Sequence, residues 1–339
     1  MKSITKSKFS NETIEMLVSH NFENIKEISE IYELSGGLFN SAYSVSVQFF
    51  DGSEKELVLK ASPFSDTKVT TIEKAIMKTE VFMLNLLPSK GVPMPAVVCH
   101  DFSREYIDCD YFFMEKLSGK AWNKISKKLT KQDKLRLKAD LGRYLACIHE
   151  TKSEYFGDLK VKSSLQFKTW REAFCVMIDN ITNDAKRDNI NFPYKKIRAA
   201  LAPHLHLLDE ITTPTLVYSD LWAGNIFLTD KSGQYKIEGF IDPERGFFGD
   251  PFTDFCSAPG IFSDIKKETE LQKAYSEVRG KPFTVTRNDE IRMCMYNLHG
   301  AMFLGVETYR YPKLYGFFQL IYSKFHVRKY IKKLNSFLK

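Results

Sequence analysis

Tyr218-Ser-Asp220-Leu-Trp-Ala-Gly-Asn225, with Asp242 standing seventeen residues beyond Asn225 inside Phe240-Ile-Asp242-Pro-Glu244, is the stretch on which the reading of this chain turns. Asn225 and Asp242 bracket a hairpin. Ile226 to Thr229 and Lys236 to Ile241 read as apolar-rich strands, and Asp230-Lys-Ser-Gly-Gln234 between them holds turn-forming residues. Pairing Ile226 with Ile241 sets Thr229 opposite Glu238 and leaves Asn225 and Asp242 side by side, about 5 Å apart between Cα atoms. One carboxylate and one amide oxygen then converge, and Asp220 supplies a further carboxylate upstream. Magnesium binds hard oxygen donors, takes one or two of them from protein, and completes its shell with phosphate and water. A single Asp or Asn beside a turn ordinarily caps that turn; the combination is what points to a metal.

At 339 residues the chain is long enough for two domains or one two-lobed unit. Hydrophobic residues at 43% with charged residues at 27% describe an ordinary globular protein rather than a disordered or membrane-embedded one. The cysteines at 99, 109, 147, 175, 256 and 294 are scattered, without Cys-x-x-Cys, so reduced thiols in the cytoplasm are expected. The N-terminal residues lack an apolar core and no run approaches about eighteen apolar residues, so neither export nor a membrane partner is expected. The net charge of +7 is local: residues 309–339 hold eight Lys or Arg and no acid, which leaves 7 − 8 = −1 for the rest. Phe317, Phe318, Ile321, Phe325, Ile331 and Leu338 are interleaved there at helical spacing. A packed terminal helix with a solvated basic face is the preferred reading, and a surface that meets anions is the other. No nucleic-acid motif accompanies it, so no specific nucleic-acid partner is expected.

Along the chain, residues 1–27 read as a polar helical extension with Ile14, Leu17 and Val18 as a short stripe. Strands follow from Ile31 to Lys60, with Asp51-Gly52 as a turn. Residues 67–87 carry Ile72, Ile76, Met83, Leu84 and Leu87 on one helical face, stopped by Pro88 and Gly91. Val97 to His100 and Tyr111 to Glu115 are two more strands, after which helices dominate: 133–151, 165–181, 194–209, 262–279, 288–309 and 313–337. The expected division is residues 1–116 as a nucleotide-binding part and 117–339 as a catalytic and substrate part ending in the basic helix 309–339.

Phosphoryl transfer needs a phosphate cradle, a cation on the phosphates, a metal and a residue that orients the attacking group. Ser35-Gly36-Gly37-Leu-Phe-Asn40 lies between strands, where glycines let backbone amides approach phosphate oxygens. Lys60 ends Leu57-Val-Leu-Lys60, and Glu80 sits in the apolar stripe of the next helix, where a carboxylate is costly to bury without a cation. Glu80 is the preferred partner of Lys60, while Glu73 shares nearly the same face. In this order, with Phe113-Met-Glu115-Lys-Leu117-Ser-Gly119, Leu141-Gly-x-x-Leu-Ala-x-Ile-His149 and Ile241-Asp-Pro-Glu-Arg-Gly-x-x-Gly-Asp250-Pro, the chain resembles the aminoglycoside phosphotransferase and choline kinase superfamily over about residues 30–260.

That resemblance implies an α+β, protein-kinase-like two-lobed fold, with a small antiparallel sheet, a hinge and a larger helical lobe, and ATP held between the lobes. It implies that Asp220 orients the acceptor hydroxyl or amine, that Asn225 and Asp242 hold Mg2+, and that Lys60, positioned by Glu80, contacts the α and β phosphates. Ser35, Gly36, Gly37 and Asn40 would cover the phosphates, and the backbone of Glu115 to Leu117 would receive adenine. His149 is expected to pack rather than react, and Asp250 to brace the catalytic loop. Tyr218 stands where the superfamily commonly has His, so altered loop packing with activity retained is expected. Trp222 either packs under the loop, the preferred reading, or stacks on substrate. Pro-Glu-Arg after Asp242, in place of Phe-Gly, and the lack of a following Ala-Pro-Glu argue for a small-molecule acceptor.

The expected activity is ATP-dependent transfer to an antibiotic or metabolite. Asp220-Leu-Trp-Ala-Gly-Asn225 is also similar to the fructosamine kinase branch, and a catalytically silent kinase-like binder is the alternative of another class. Glu238, Glu244, Asp254, Asp264 and Glu307 are the candidate acids for an aminoglycoside cleft.

Overall fold

The computed structural model describes every residue except 1, 2, 4, 75, 161, 162, 232 and 257. Helix α1 (Asn11–Asn21) starts where the Ser10 hydroxyl accepts the Thr13 N–H at 3.3 Å, and it buries Ile14, Leu17 and Val18. The helical extension expected over 1–27 is therefore shorter, because β1 (Ile25–Glu33) already begins at Ile25. Ile25, Ile28 and Ile31 recur every three residues, a spacing that imitates a helix. Register shifts within β1 absorb the extra residues and keep all three isoleucines on one apolar cluster.

Strands β2 (Ser41–Phe49) and β3 (Glu54–Ala61) pair across Asp51-Gly52, where Gly52 takes φ +85° and Asp51 accepts the Ser53 N–H at 2.9 Å. Next come α2 (Ile76–Leu86), β4 (Val97–Asp101) and β5 (Tyr111–Glu115). The helix expected from residue 67 begins later, because the Glu73 carboxylate turns back to accept the Thr70 N–H at 3.1 Å around a short 3-10 turn ahead of α2. The five strands form one antiparallel sheet ordered β1-β2-β3-β5-β4. Alternation splits its side chains: Tyr43, Val45, Leu57, Leu59 and Phe113 meet α1, whereas Val58, Phe112 and Met114 meet Met77, Val81 and Leu84 of α2.

The chain leaves this sheet at Glu115 and enters β6 (Lys120–Ala121) and α3 (Trp122–Ile125). Then follow α4 (Lys131–Glu150), β7 (Phe156–Asp158), β8 (Gln166–Phe167), α5 (Trp170–Arg187) and α6 (Tyr194–Leu201). Strands β9 (Thr215–Val217), β10 (Ile226–Lys231), β11 (Gln234–Phe240) and β12 (Phe247–Gly249) precede α7 (Thr269–Arg279), α8 (Arg287–Val306) and α9 (Lys313–Ser336). The result is an α+β fold with two lobes, a small sheet and a larger helical portion.

Several bonds join the lobes away from the cleft. Asp184 of α5 accepts the Thr71 N–H at 2.8 Å and its hydroxyl at 2.9 Å, and the buried Glu73 pairs with the buried Arg310. At the linker, Glu238 of β11 accepts the N–H groups of Ser118 at 3.0 Å and Gly119 at 2.6 Å.

The hairpin register differs from expectation. Ile226 faces Phe240, a register shift follows Phe227, and Leu228 then faces Ile237 and Lys231 faces Gln234. Ile226, Leu228, Ile237 and Phe240 are all buried, and because Ile237 and Phe240 are three apart only an irregularity at Glu238 and Gly239 turns both inward.

Candidate active site

Strand β9 runs into Tyr218, whose buried hydroxyl donates to the Ile241 carbonyl. The phenol thus ties the loop to the chain segment that presents Asp242. Ser219 turns through φ +71° and carries Asp220 into the cleft. Two consecutive amides hold that turn: Tyr218 N–H and Ser219 N–H donate to the two carboxylate oxygens of Asp254 at 2.8 and 2.7 Å. Asp254 also lies 3.1 Å from His149 Nε2, and His149 Nδ1 lies 3.0 Å from the Tyr275 hydroxyl. The loop brace is therefore Asp254 and not Asp250. Asp250 instead accepts from Phe252 N–H at 2.9 Å, Arg292 Nε at 3.0 Å and the Tyr296 hydroxyl at 2.7 Å, tying the turn after β12 to α8. The two acids stand four positions apart, and only the turn Pro251–Phe255 decides which one points at the loop.

The Asn225 amide group donates to the Asp220 carbonyl at 3.1 Å, which leaves its own oxygen free toward the cleft. Ile241 N–H donates to the Asn225 carbonyl at 3.0 Å, so Ile241 is the residue beside Asn225 and Asp242 comes one place later than expected. Asp242 takes φ +60°, an uncommon conformation for a residue with a side chain. Among the described residues no three His, Cys, Asp or Glu side chains assemble a self-sufficient metal site. The Asp242 carboxylate and Asn225 oxygen are a two-donor set, which fits magnesium when phosphates and water supply the rest.

Lys60, buried at the end of β3, donates to Glu80 of α2 at 2.7 Å and to Asp242, with Glu244 at 3.5 Å. Glu80 is thus the partner of Lys60, and Glu73 belongs to Arg310 and, at 3.7 Å, Arg245. Burial works against the Lys60 charge, but Asp242, Glu80 and Glu244 outweigh it and raise its pKa well above the ordinary value. Burial raises Glu80 and Glu244, with Lys60 pulling both down. Three carboxyl groups thus converge on one ammonium, and a divalent cation beside them would favour their ionised form. Burial also raises the Asp220 carboxyl; Asp242 and Glu307 add to that shift, while Arg245 and the Asn225 amide oppose it.

The Ser35–Asn40 loop faces the same cleft, with Gly36 at φ +126° and Gly37 at φ +54°, both positive-φ conformations that favour glycine. Asn40 donates to Glu244 at 2.6 Å, fastening the loop end to the residue two beyond Asp242. The N-terminal segment holds the other side: Lys6 donates to the Gly36 carbonyl at 2.9 Å and the Thr5 hydroxyl to the Leu38 carbonyl at 3.0 Å. These tethers were not legible as such, since short polar residues before a helix carry no partner label. At the linker, Glu115 N–H bonds the Ala96 carbonyl at 2.9 Å and Lys116 N–H the Glu56 carbonyl at 3.0 Å. The Leu117 N–H has no partner among the described residues and lines the cleft.

Trp222 neither packs under the loop nor is buried. It is 38% exposed, borders the cleft, and covers Gly224, where an added Cβ would stand 2.1 Å from the indole. Of the acids assigned to an aminoglycoside cleft, Glu238 is spent on the linker, Asp254 on the loop, and Glu244 is buried against Lys60 and Asn40. Asp264 and Glu307 do line the cleft, Glu307 with Arg245 at 3.8 Å. Arg245, from the Pro-Glu-Arg segment, lines the cleft and pulls the Asp220 pKa down, and it was missed as a site residue; a lone charge in a turn gives no sign of its direction.

A family model described as "Phosphotransferase enzyme family" matches residues 34–282, most of the chain. The chain belongs to that family. It is a phosphotransferase of the kinase type. Its fold is shared with a protein from Ralstonia eutropha JMP134 provisionally described as an aminoglycoside phosphotransferase: 15% identity, 96% of this chain and 99% of that one, TM-score 0.64. It is shared too with APH(4)-Ia in a ternary complex with AMP-PNP and hygromycin B (15%, 94% and 98%, TM-score 0.61). APH(2'')-IIa in a streptomycin–ATP complex matches at 16% identity over 97% of each chain, TM-score 0.58. At these identities the likeness speaks for the fold alone. No curated protein matches the chain by sequence.

Proposed function

We propose that this phosphotransferase moves the γ-phosphate of ATP to a hydroxyl or amine of a small molecule. The observation that carries the reading is the meeting of Lys60, Glu80, Asp242 and Glu244, from the sheet, α2 and the turn after β11, in one cluster, buried but for Asp242, that faces the glycine loop. On this reading residues 1–116 bind the nucleotide and 117–339 supply catalysis and acceptor binding. The Leu117 N–H and the Glu115 backbone receive adenine. Ser35, Gly36, Gly37 and Asn40 cover the phosphates, and Lys60, held by Glu80, neutralises the α and β phosphates. Asn225 and Asp242 would hold Mg2+, which would supply neutralisation of phosphate charge.

Asp220 orients the acceptor and takes its proton as the acceptor oxygen or nitrogen bonds to the γ phosphorus and the bond to the bridging oxygen breaks, releasing ADP. Arg245 opposes the burial that raises the Asp220 carboxyl. The remaining cleft acids are largely committed, Glu290 to Lys266 at 2.6 Å and Glu307 to Arg245, which favours an acceptor of low positive charge over a polycation. Six unpaired cysteines support a cytoplasmic location.

The test is magnesium-ATP turnover with aminoglycosides, other antibiotics, choline-like alcohols and fructosamines, with Asp220→Asn and Asp242→Asn alongside. Both substitutions are expected to remove turnover. Wild type that binds no nucleotide and transfers phosphate to nothing would sink the reading, and either variant within about threefold of wild type, under about 1 kcal/mol of barrier, would sink the role given to that residue.

A further inference from the structure

Helix α9 turns three faces to three surroundings. Gly316, Ser323, Val327, Ile331 and Leu334 are buried, with the Ser323 hydroxyl donating to the Ala301 carbonyl of α8 at 2.7 Å. Tyr315, Gln319, Tyr322, His326 and Tyr330 line the cleft. The third face carries Leu314, Phe317, Phe318, Ile321 and Phe325, between 50% and 71% exposed. At 3.6 residues per turn these five share one arc, which continues through exposed Arg328 and Lys332. Of the six apolar residues that suggested a packed terminal helix, only Ile331 is buried; Phe317, Phe318, Ile321, Phe325 and Leu338 are exposed.

We propose that this face docks on an anionic lipid surface. Large apolar side chains at one end and cations at the other, along one side of a helix, match the boundary between acyl chains and anionic headgroups. A second copy of the chain fits worse, because apposed α9 faces would bring together two helices that each carry six cations and no carboxylate side chain. An acidic protein would satisfy the cations, but it would have to accept five aromatic or aliphatic side chains that offer it no hydrogen bond. The expectation of no membrane partner rested on the want of a spanning segment, and among the described residues no helix is long and apolar enough to cross a membrane. Surface docking needs no such helix. It would place the cleft wall formed by Tyr315, Gln319 and Tyr322 next to the bilayer.

The full-length protein is floated with vesicles of phosphatidylcholine alone and of phosphatidylcholine with phosphatidylglycerol, at low and high salt, and its mass is followed by light scattering. Wild type is expected to bind the anionic vesicles at least about tenfold better and to be released by salt. Phe317→Ser/Phe318→Ser/Phe325→Ser should abolish binding, and Arg328→Gln/Lys332→Gln should weaken it about thirtyfold, with melting temperature and nucleotide binding unchanged in both. Absence of binding to anionic vesicles overturns the proposal. So does binding that survives the triple phenylalanine change, or a dimer that this change dissociates, which would assign the face to a second copy.

Discussion

Asp254→Asn separates the brace from its neighbour Asp250. The substitution keeps the volume but turns one of two accepting oxygens into a donor, so either Tyr218 N–H or Ser219 N–H faces an amide that cannot receive it. The lost bond is charge-assisted and buried, worth about 1.5–3 kcal/mol, and the surviving one loses its charge. A total of about 3 kcal/mol should lower the melting temperature by about 4 °C, given the unfolding entropy expected of 339 residues. The larger effect is on rate. Ser219 holds φ +71° only while its amide is fixed, and release of that turn displaces Asp220, for which about 1 Å is enough to lose about 100-fold in kcat. Asp254 touches no residue assigned to the nucleotide, so the Kd for magnesium-ATP should stay within about threefold. Differential scanning fluorimetry, nucleotide titration and steady-state kinetics check the three quantities. A kcat within about threefold of wild type, or a lost nucleotide affinity with kcat intact, would refute the brace.

Arg245→Gln should move the acid limb of the kcat/KM profile to higher pH, because Arg245 opposes the burial that raises Asp220; an unmoved limb in the pH–rate curve would deny that coupling. The stability sign is opposite to that of an ordinary ion-paired acid: a raised folded-state pKa contributes stability below the unfolded value and loses it as pH rises through the folded one. Glu73→Gln leaves the buried Arg310 without its carboxylate and should destabilise by about 3–5 kcal/mol, about 4–7 °C by thermal melting over 339 residues, with magnesium-ATP affinity nearly intact. Glu80→Gln at matched expression should do the reverse, and equal nucleotide affinities for the two variants would undo the choice of Glu80.

Much of this was legible before any coordinates. Lys60 at the end of an apolar strand and Glu80 within an apolar stripe are chemically anomalous unless they meet, and they meet at 2.7 Å. The start of β1 was taken into the polar extension because its bulges break the two-residue alternation that marks a strand, and the hairpin register was displaced because a bulge at Glu238 and Gly239 is invisible to alternation. The choice between Asp250 and Asp254 depended on the path of one 3-10 turn, and the burial of Glu73 on Arg310, 237 residues away, which no local pattern encodes. The outer face of α9 failed for another cause: periodicity reports that a helix is amphipathic, not which side finds a partner.

The fastenings between the lobes constrain how the molecule can move. One joint is covalent, the linker 116–119 gripped by Glu238; the other is made of side chains, Thr71 on Asp184 and Glu73 on Arg310. A third set lies at the cleft itself, where Lys60 meets Asp242 and Glu244 and Asn40 meets Glu244. A shift of the sheet against the helical portion would therefore have to break the contacts of Lys60 and Asn40 with the turn after β11 as well as those at either edge. The same side chains that form the cluster in the cleft also clamp the two lobes in register.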